Sequence, residues 1–328
     1  MKNLTLHTPE GVRDIYNNEF ERRLDALYNL RKCFKSYNYA PISTPTFEYF
    51  DTFSKEVGSC KSTEMFKFFD RDGDTLVLRP DITPSVARAA AMYFSDTDGP
   101  VKLSYEGNVF INYHSLQGRL KETTQAGCEF IGDSSVDADA EILTIVVMAL
   151  KDLGLKEFEI GVGHIDVVRG LIDAANLSED KREKLIALIS NKNIFGAKEL
   201  LEGEGVSKSL VELFDLTGKI LNSPAEWNCY LEKAKKYKKV YDALEYLTKL
   251  YDLLNKNGVM DFISFELGMI SEYRYYTGII FTGYSYGVGE PLVKGGRYDS
   301  LLSHFGKDSP AIGFAITVDQ LMLALERQ

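Results

Sequence analysis

Seven side chains in this sequence are of types that could hold a small cationic ligand: Asp81 and Thr83, Gln125 and Glu129, Tyr275 and Tyr276, and Tyr298. Gln125 and Glu129 are separated by an even number on an expected strand, so they point to the same face of it. Carboxylates pair with an amine or an imidazolium, and tyrosine rings stack on a planar cation. Periodicity alone leaves a polar, solvent-facing strand equally open. Other chemistry is not signalled. His7, His114, His164 and His304 show no HExxH or HxH spacing and read as surface or core residues. Cys33, Cys60, Cys128 and Cys229 form no CxxC pair, which argues against a zinc framework or a disulfide scaffold and for a reducing compartment. No Walker-type loop is present, and Gly161-Val162-Gly163 lacks the third glycine and adjoining acid of a dinucleotide site.

The elements that must position these residues are legible from spacing. A helix is expected over 18–36, with Phe20, Leu24, Leu27 and Phe34 on one face. Residues 65–79 read as a β-hairpin, two apolar runs around Asp70-Arg71-Asp72-Gly73-Asp74. A short helix follows, with Thr83 as its cap and Pro84 in its first turn. Strands over 101–112 and 123–131 are joined by a polar loop, 113–121. Next come an apolar helix over 137–153, closed by Gly154, and a strand over 158–162. From about 164 to 258 the patterning is almost wholly helical. Strand signals return at 261–267, 275–282 and 290–294, and a final helix covers 318–326. This order predicts an α+β fold: one sheet domain formed by 1–164 and 259–328, interrupted by a helical insertion over 165–258.

The 328 residues carry 48 acidic against 38 basic side chains, a net charge of −10, which argues against a chain built to grip nucleic acid. The densest basic cluster, Lys233, Lys235, Lys236, Lys238 and Lys239, reads as a solvated helix face. No run approaches the ~20 apolar residues of a membrane span, and the start lacks a secretory pattern, so a cytoplasmic protein is expected.

Six ordered segments then resemble the histidyl-tRNA synthetase family: Thr8-Pro9-Glu10-Gly11-Val12-Arg13-Asp14, Thr44-Pro45-Thr46-Phe47-Glu48, Leu78-Arg79-Pro80, Gln125-Ala126-Gly127-Cys128-Glu129, Tyr275-Tyr276, and Gly295-Gly296-Arg297-Tyr298-Asp299. The resemblance spans about 5–165 and 260–326. It implies the class II aminoacyl-tRNA synthetase fold, an antiparallel sheet flanked by helices, and a homodimer formed across the segment holding Pro45. It also implies a histidine pocket lined by Asp81, Thr83, Gln125, Glu129, Tyr276 and Tyr298, with Tyr275 beside them. Asp81 is one methylene shorter than the family's glutamate.

The same resemblance implies that adenylation has been lost. The family's arginine for the ATP α-phosphate is replaced by Ile111, and the acid and arginine that follow by Tyr113 and His114. Two further arginines are replaced by Ser271 and Gln320, while Arg119 is kept. Activating an amino acid places negative charge on phosphorus and on departing pyrophosphate, which enzymes stabilise with pre-placed cations. Each hydrogen bond to a charged group is worth ~1.5–3 kcal/mol, so three absent arginines remove the basis of the reaction.

A synthetase-like body with a kept amino-acid pocket, no adenylation arginines and no anticodon-binding domain before Gln328 is similar to the regulatory subunits of ATP phosphoribosyltransferase. That likeness implies a non-catalytic protein without cofactor or metal. Its partners would be a short-form ATP phosphoribosyltransferase catalytic subunit, a second copy of itself, and L-histidine as effector, with neither tRNA nor membrane. The contrasting expectation is a histidyl-adenylate-forming enzyme using Arg119, Lys121 and Arg274 as substitute cations. An RNA-binding remnant is disfavoured by the acidic charge.

Overall fold

A computed structural model describes residues 6–53, 60–113, 118–271 and 275–328. His114 and Arg274, both singled out above, lie outside the described residues. The chain begins with helix α1 (Asn17–Ser36) and the short strands β1 (Ala40–Pro41) and β2 (Phe47–Tyr49). The expected hairpin follows as β3 (Lys67–Phe69) and β4 (Thr75–Leu78), leading into α2 (Thr83–Tyr93). Two long strands, β5 (Val101–Phe110) and β6 (Glu122–Ile131), precede α3 (Val136–Asp152) and β7 (Phe158–His164). A helical stretch comprises α4 (Ile165–Ala175), α5 (Glu179–Ser190), α6 (Ile194–Gly203), α7 (Lys208–Leu213), the two-residue strand β8 (Ile220–Leu221), α8 (Asn228–Ala234) and α9 (Lys238–Lys256). The chain closes with β9 (Ile263–Glu266), β10 (Ile279–Ser285), β11 (Val293–Arg297), β12 (Ala311–Thr317) and α10 (Val318–Arg327).

The main sheet runs β1-β5-β6-β12-β11-β10-β7-β9-β8. It is mixed rather than wholly antiparallel: β1 pairs with β5 and β7 with β9 in parallel, and the other neighbours are antiparallel. The connection from β7 to β9 passes through the helical stretch, and a long crossover of this kind lets the chain return in the same direction. Strands β2, β4 and β3 form a separate small sheet.

Side-chain alternation splits the main sheet into two faces. Ala126, Cys128 and Phe130 of β6, with Ile312, Phe314 and Ile316 of β12, join a large apolar cluster with α1, α3 and the helical stretch. Helix α3 has Ile142, Leu143, Ile145, Val146 and Val147 all fully buried, as befits a helix apolar all round and enclosed between layers. Ser135 caps it by accepting a hydrogen bond from the Ala138 amide at 3.3 Å, and Gly154 ends it at φ +86°, a conformation that favours glycine. Helix α9 buries Val240, Ala243, Leu244, Leu247, Leu250 and Leu254 at helical spacing, and they belong to the same cluster. The opposite face carries Leu103, Tyr105, Ile131, Tyr275, Tyr276, Ile280 and Tyr298 with Ile82 and Val86 of the α2 region.

Three expectations change. In α1 the buried residues are Ala26, Leu30, Cys33 and Phe34, whereas Phe20 and Leu24 are 47% and 49% exposed. Arg23 turns inward instead, pairing with Asp319 at 2.8 Å and bonding Thr124, so a polar anchor sets the helix's rotation. Thr83 is the first residue of α2 rather than its cap, and its hydroxyl is used elsewhere. Strand β12 has no counterpart among the expected strands. The basic cluster near α9 is solvated and internally matched: Lys233, Lys235, Lys238 and Lys239 pair with Glu212, Glu232, Asp242 and Asp173 at 2.5–3.0 Å.

Candidate functional site

The register of three adjacent strands builds the floor of a cleft on the α2 side of the sheet. Glu129 of β6 lies opposite Gly313 of β12, which lies opposite Gly296 of β11. The next row is Gly127, Ala315 and Lys294, and Gln125 pairs with Thr317 beyond it. Small residues therefore occupy the middle of the floor, and larger polar ones stand at its ends. A side chain at Gly313 would collide with the Glu129 carboxylate, and one at Gly296 would stand 2.8 Å from the Tyr276 ring. The glycines here make room for neighbouring side chains. Walls come from the segment before α2 and the segment before β10, which supply Asp81 and Thr83, and Tyr275 and Tyr276.

The cleft is shallow and partly open to solvent. Of the seven expected residues, Asp81, Thr83, Gln125, Tyr275, Tyr276 and Tyr298 line it, together with Lys294, Gly313, Phe314, Ala315 and Thr317. Glu129 lies one layer deeper, fully buried. It accepts hydrogen bonds from the Thr83 hydroxyl at 2.7 Å and from the Tyr298 hydroxyl. Loss of solvent pushes its carboxyl up to about 8, against the lowering effect of those two hydroxyls. Asp81 accepts from the Tyr275 hydroxyl at 3.2 Å and from the Thr83 amide at 3.3 Å. The rings of Tyr275, Tyr276 and Tyr298 meet edge to face, with centroids 4.9 and 5.9 Å apart. At the other end of the floor the side-chain amide oxygen of Gln125 is buried and has no hydrogen-bond partner among the described residues. Such an acceptor costs about 1–3 kcal/mol until a donor reaches it.

Behind the floor, Arg297 projects to the opposite face from Tyr298. Its Nε, at 3.0 Å, and its Nη2 both donate to Oδ1 of Asp139 in α3, and its Nη1 donates to the Asp133 carbonyl at 3.0 Å and to the Asp299 carboxylate at 3.1 Å. Asp139 also accepts from Tyr246 of α9 at 2.6 Å. His164 stands nearby as the N-cap of α4, its Nδ1 accepting from the Asp166 amide at 3.2 Å. Burial lowers it to about 4, so it caps the helix as a neutral imidazole.

The positions expected to have lost arginines lie outside the lining of the cleft. Ile111 follows β5, Ser271 follows β9, and Gln320 sits in the first turn of α10. Arg119 pairs with Glu290 at 2.5 Å and lies 5.3 Å over the Tyr113 ring. Among the described residues no group of acidic, histidine and cysteine side chains could hold a metal ion, and no helix is long and apolar enough to cross a membrane.

Comparison with known proteins fits this geometry. A histidyl-tRNA synthetase family profile matches residues 11–321. An ATP phosphoribosyltransferase regulatory subunit from Acetivibrio thermocellus is 40% identical over 98% of this chain and 77% of its own length. The chain belongs to the family of ATP phosphoribosyltransferase regulatory subunits, built on the histidyl-tRNA synthetase domain. Solved structures of that family and its synthetase relatives agree. An ATP phosphoribosyltransferase regulatory subunit/histidyl-tRNA synthetase from Bacillus halodurans superposes with a TM-score of 0.87 at 32% identity, covering 98% of this chain and 83% of its own. A histidine–tRNA ligase subunit from Alicyclobacillus acidocaldarius gives 0.82 at 31% identity, covering 98% of both chains. The class II, α+β fold expected from the sequence is the one these proteins share.

Lys294, Gly313, Ala315 and Thr317 line the cleft without being among the expected residues. The last three lie on the overlooked β12, where Ala311, Gly313 and Ala315 alternate with Ile312, Phe314 and Ile316. That small/large alternation was the available signal of a strand with one crowded face.

Proposed function

We propose that this chain is the regulatory subunit on which a short-form ATP phosphoribosyltransferase catalytic subunit depends, and that its cleft takes L-histidine as feedback effector. The observation that carries this reading is the cleft itself. It has an acidic, tyrosine-lined deep end, and its one lining cation among the described residues is Lys294. Adenylation needs cations around a triphosphate, and Ile111, Ser271 and Gln320 offer none. The retained Arg119 is already matched by Glu290.

The test is reconstitution. The chain is expected to co-purify with the catalytic subunit, raise its conversion of ATP and phosphoribosyl pyrophosphate to phosphoribosyl-ATP, and make that conversion sensitive to L-histidine. Alone it is expected to show no histidine-dependent ATP–pyrophosphate exchange. Robust exchange that disappears in Arg119→Ala would reverse the assignment in favour of an adenylating enzyme.

The chain also works, on this reading, as a homodimer. The small sheet next to Pro45 leaves Phe47, Tyr49 and Phe69 exposed at 54%, 58% and 73%, with Phe47 and Phe68 packed edge to face. An apolar face of this kind is normally covered. Light scattering at micromolar concentration is expected to give twice the 36.9 kDa chain mass, and a stable monomer would contradict it.

A further inference from the structure

We propose that Lys294 binds the carboxylate of the amino acid in the cleft and so restricts the site to ligands carrying both an amine and an acid. The inference rests on the histidine-pocket reading above and names a residue in it that no part of the sequence resemblance supplies. Three observations carry it. First, β11 alternates so that Lys294, Gly296 and Tyr298 share the cleft face, and Lys294 is a lining residue. Second, the cleft is polarised. Its deep end holds Asp81 and the buried Glu129 behind Thr83 and Tyr298, whereas Lys294 lies one row away, opposite Ala315, on the exposed rim. Third, the buried amide oxygen of Gln125, which lacks a partner among the described residues, lines the same cleft and awaits an N–H donor.

A zwitterion satisfies all three at once. Its cationic side faces the acids, its ammonium can serve Gln125, and its carboxylate is kept from the acids by the lysine. Without Lys294 the carboxylate would lie in a cleft whose remaining charged lining group, Asp81, repels it. The floor beside Lys294 is made of Ala315 and Gly127, so nothing bulky separates the ammonium's flexible stem from the centre of the cleft.

Calorimetry with L-histidine and with histamine, which has the same ring and amine but no carboxylate, tests the assignment on the full chain. Wild type is expected to prefer L-histidine to histamine, and Lys294→Ala to bind L-histidine about 10–100-fold more weakly. Histamine binding is expected to change less than about threefold in that variant, and Lys294→Arg to recover most of the loss. Lys294 is exposed, so the fold survives both substitutions. Unchanged L-histidine binding in Lys294→Ala, or equal losses for both ligands, overturns the assignment while leaving the pocket intact. Failure of the wild type to bind L-histidine overturns the pocket reading and this inference together.

Discussion

Replacing Asp139 by alanine is expected to be among the most destabilising single changes in the protein. Asp139 is fully buried and answers the guanidinium of Arg297, itself only 5% exposed. Removing one partner of a buried ion pair leaves the other charge undercompensated, a loss of about 3–5 kcal/mol, because the carboxylate that remains, Asp299 at 3.1 Å, is itself 38% exposed. The Tyr246 hydroxyl of α9 would lose its acceptor as well. With an unfolding entropy of ~2.1 cal/mol/K per residue, that loss lowers the melting temperature by roughly 4–7 °C for a chain of this length. The double variant Asp139→Ala, Arg297→Met removes both charges and is expected to recover part of the deficit. A thermal melt of Asp139→Ala within 1 °C of wild type would show that the pair contributes little. The consequence is also functional. Arg297 adjoins Tyr298, so the Tyr246–Asp139–Arg297 chain of contacts fixes the strand that carries a cleft wall and ties it to α9.

How far the sequence could be read follows from what each element depends on. Hairpin β3–β4, strands β5 and β6, helix α3 and helix α10 were legible because their spacing and turn residues are local. Asp70, for instance, accepts from the amides of Asp72 and Asp74 within the hairpin turn itself. The rotation of α1 was not legible, because it is set by Arg23 reaching Asp319, 296 positions away. The short strands β1 and β8 exist only through pairing with β5 and β9, and two residues carry no periodic signal. Strand β12 was missed for a different reason. Its glycine and alanines weaken an apolar pattern, and the role of Gly313, making room for Glu129, is visible only once β6 lies alongside. The site residues were found as types and spacings. That Glu129 lies behind Thr83 and Tyr298 required the fold, as did the place of Lys294 on the rim, because neither depth nor the opposing strand is written in a single strand's sequence.

Glu129→Gln is expected to weaken L-histidine binding about 10–100-fold and abolish histidine inhibition of the reconstituted complex, while assembly with the catalytic subunit persists. The reason lies in hydroxyl orientation. In the ionised form, which bound donors favour over the protonated form that burial otherwise maintains up to about pH 8, Glu129 can only accept, so the hydroxyls of Thr83 and Tyr298 both point their protons inward and present lone pairs to the cleft. Those lone pairs suit the N–H donors of an ammonium or an imidazole. Glutamine fills the same volume but donates from one end, forcing one hydroxyl to reverse and turn its proton toward the ligand. The site then loses an acceptor and gains an opposing donor, worth about 1–3 kcal/mol, or the stated fold-change. Glutamine is the better probe than alanine, which would leave two buried hydroxyls unmatched and a void beside Gly313. The pH dependence follows from a carboxyl pushed up to about 8 by burial. Ligand donors favour the ionised form, so wild-type affinity is expected to rise from pH 6.5 to 8, and the glutamine variant to stay flat. Stability of the free protein runs the other way. With the folded value raised above the ordinary 4.5, the native state holds a proton that the unfolded chain has released. Stability is therefore full below about 4.5 and falls by at most ~1.4 kcal/mol per pH unit as the pH rises toward 8. The variant lacks that fall, so its stability relative to wild type increases across the interval. Denaturant titrations at pH 5 and pH 8, paired with calorimetry across pH 6.5–8, read both effects. Wild-type histidine affinity in Glu129→Gln would sink the orientation argument, whatever the stability curves show.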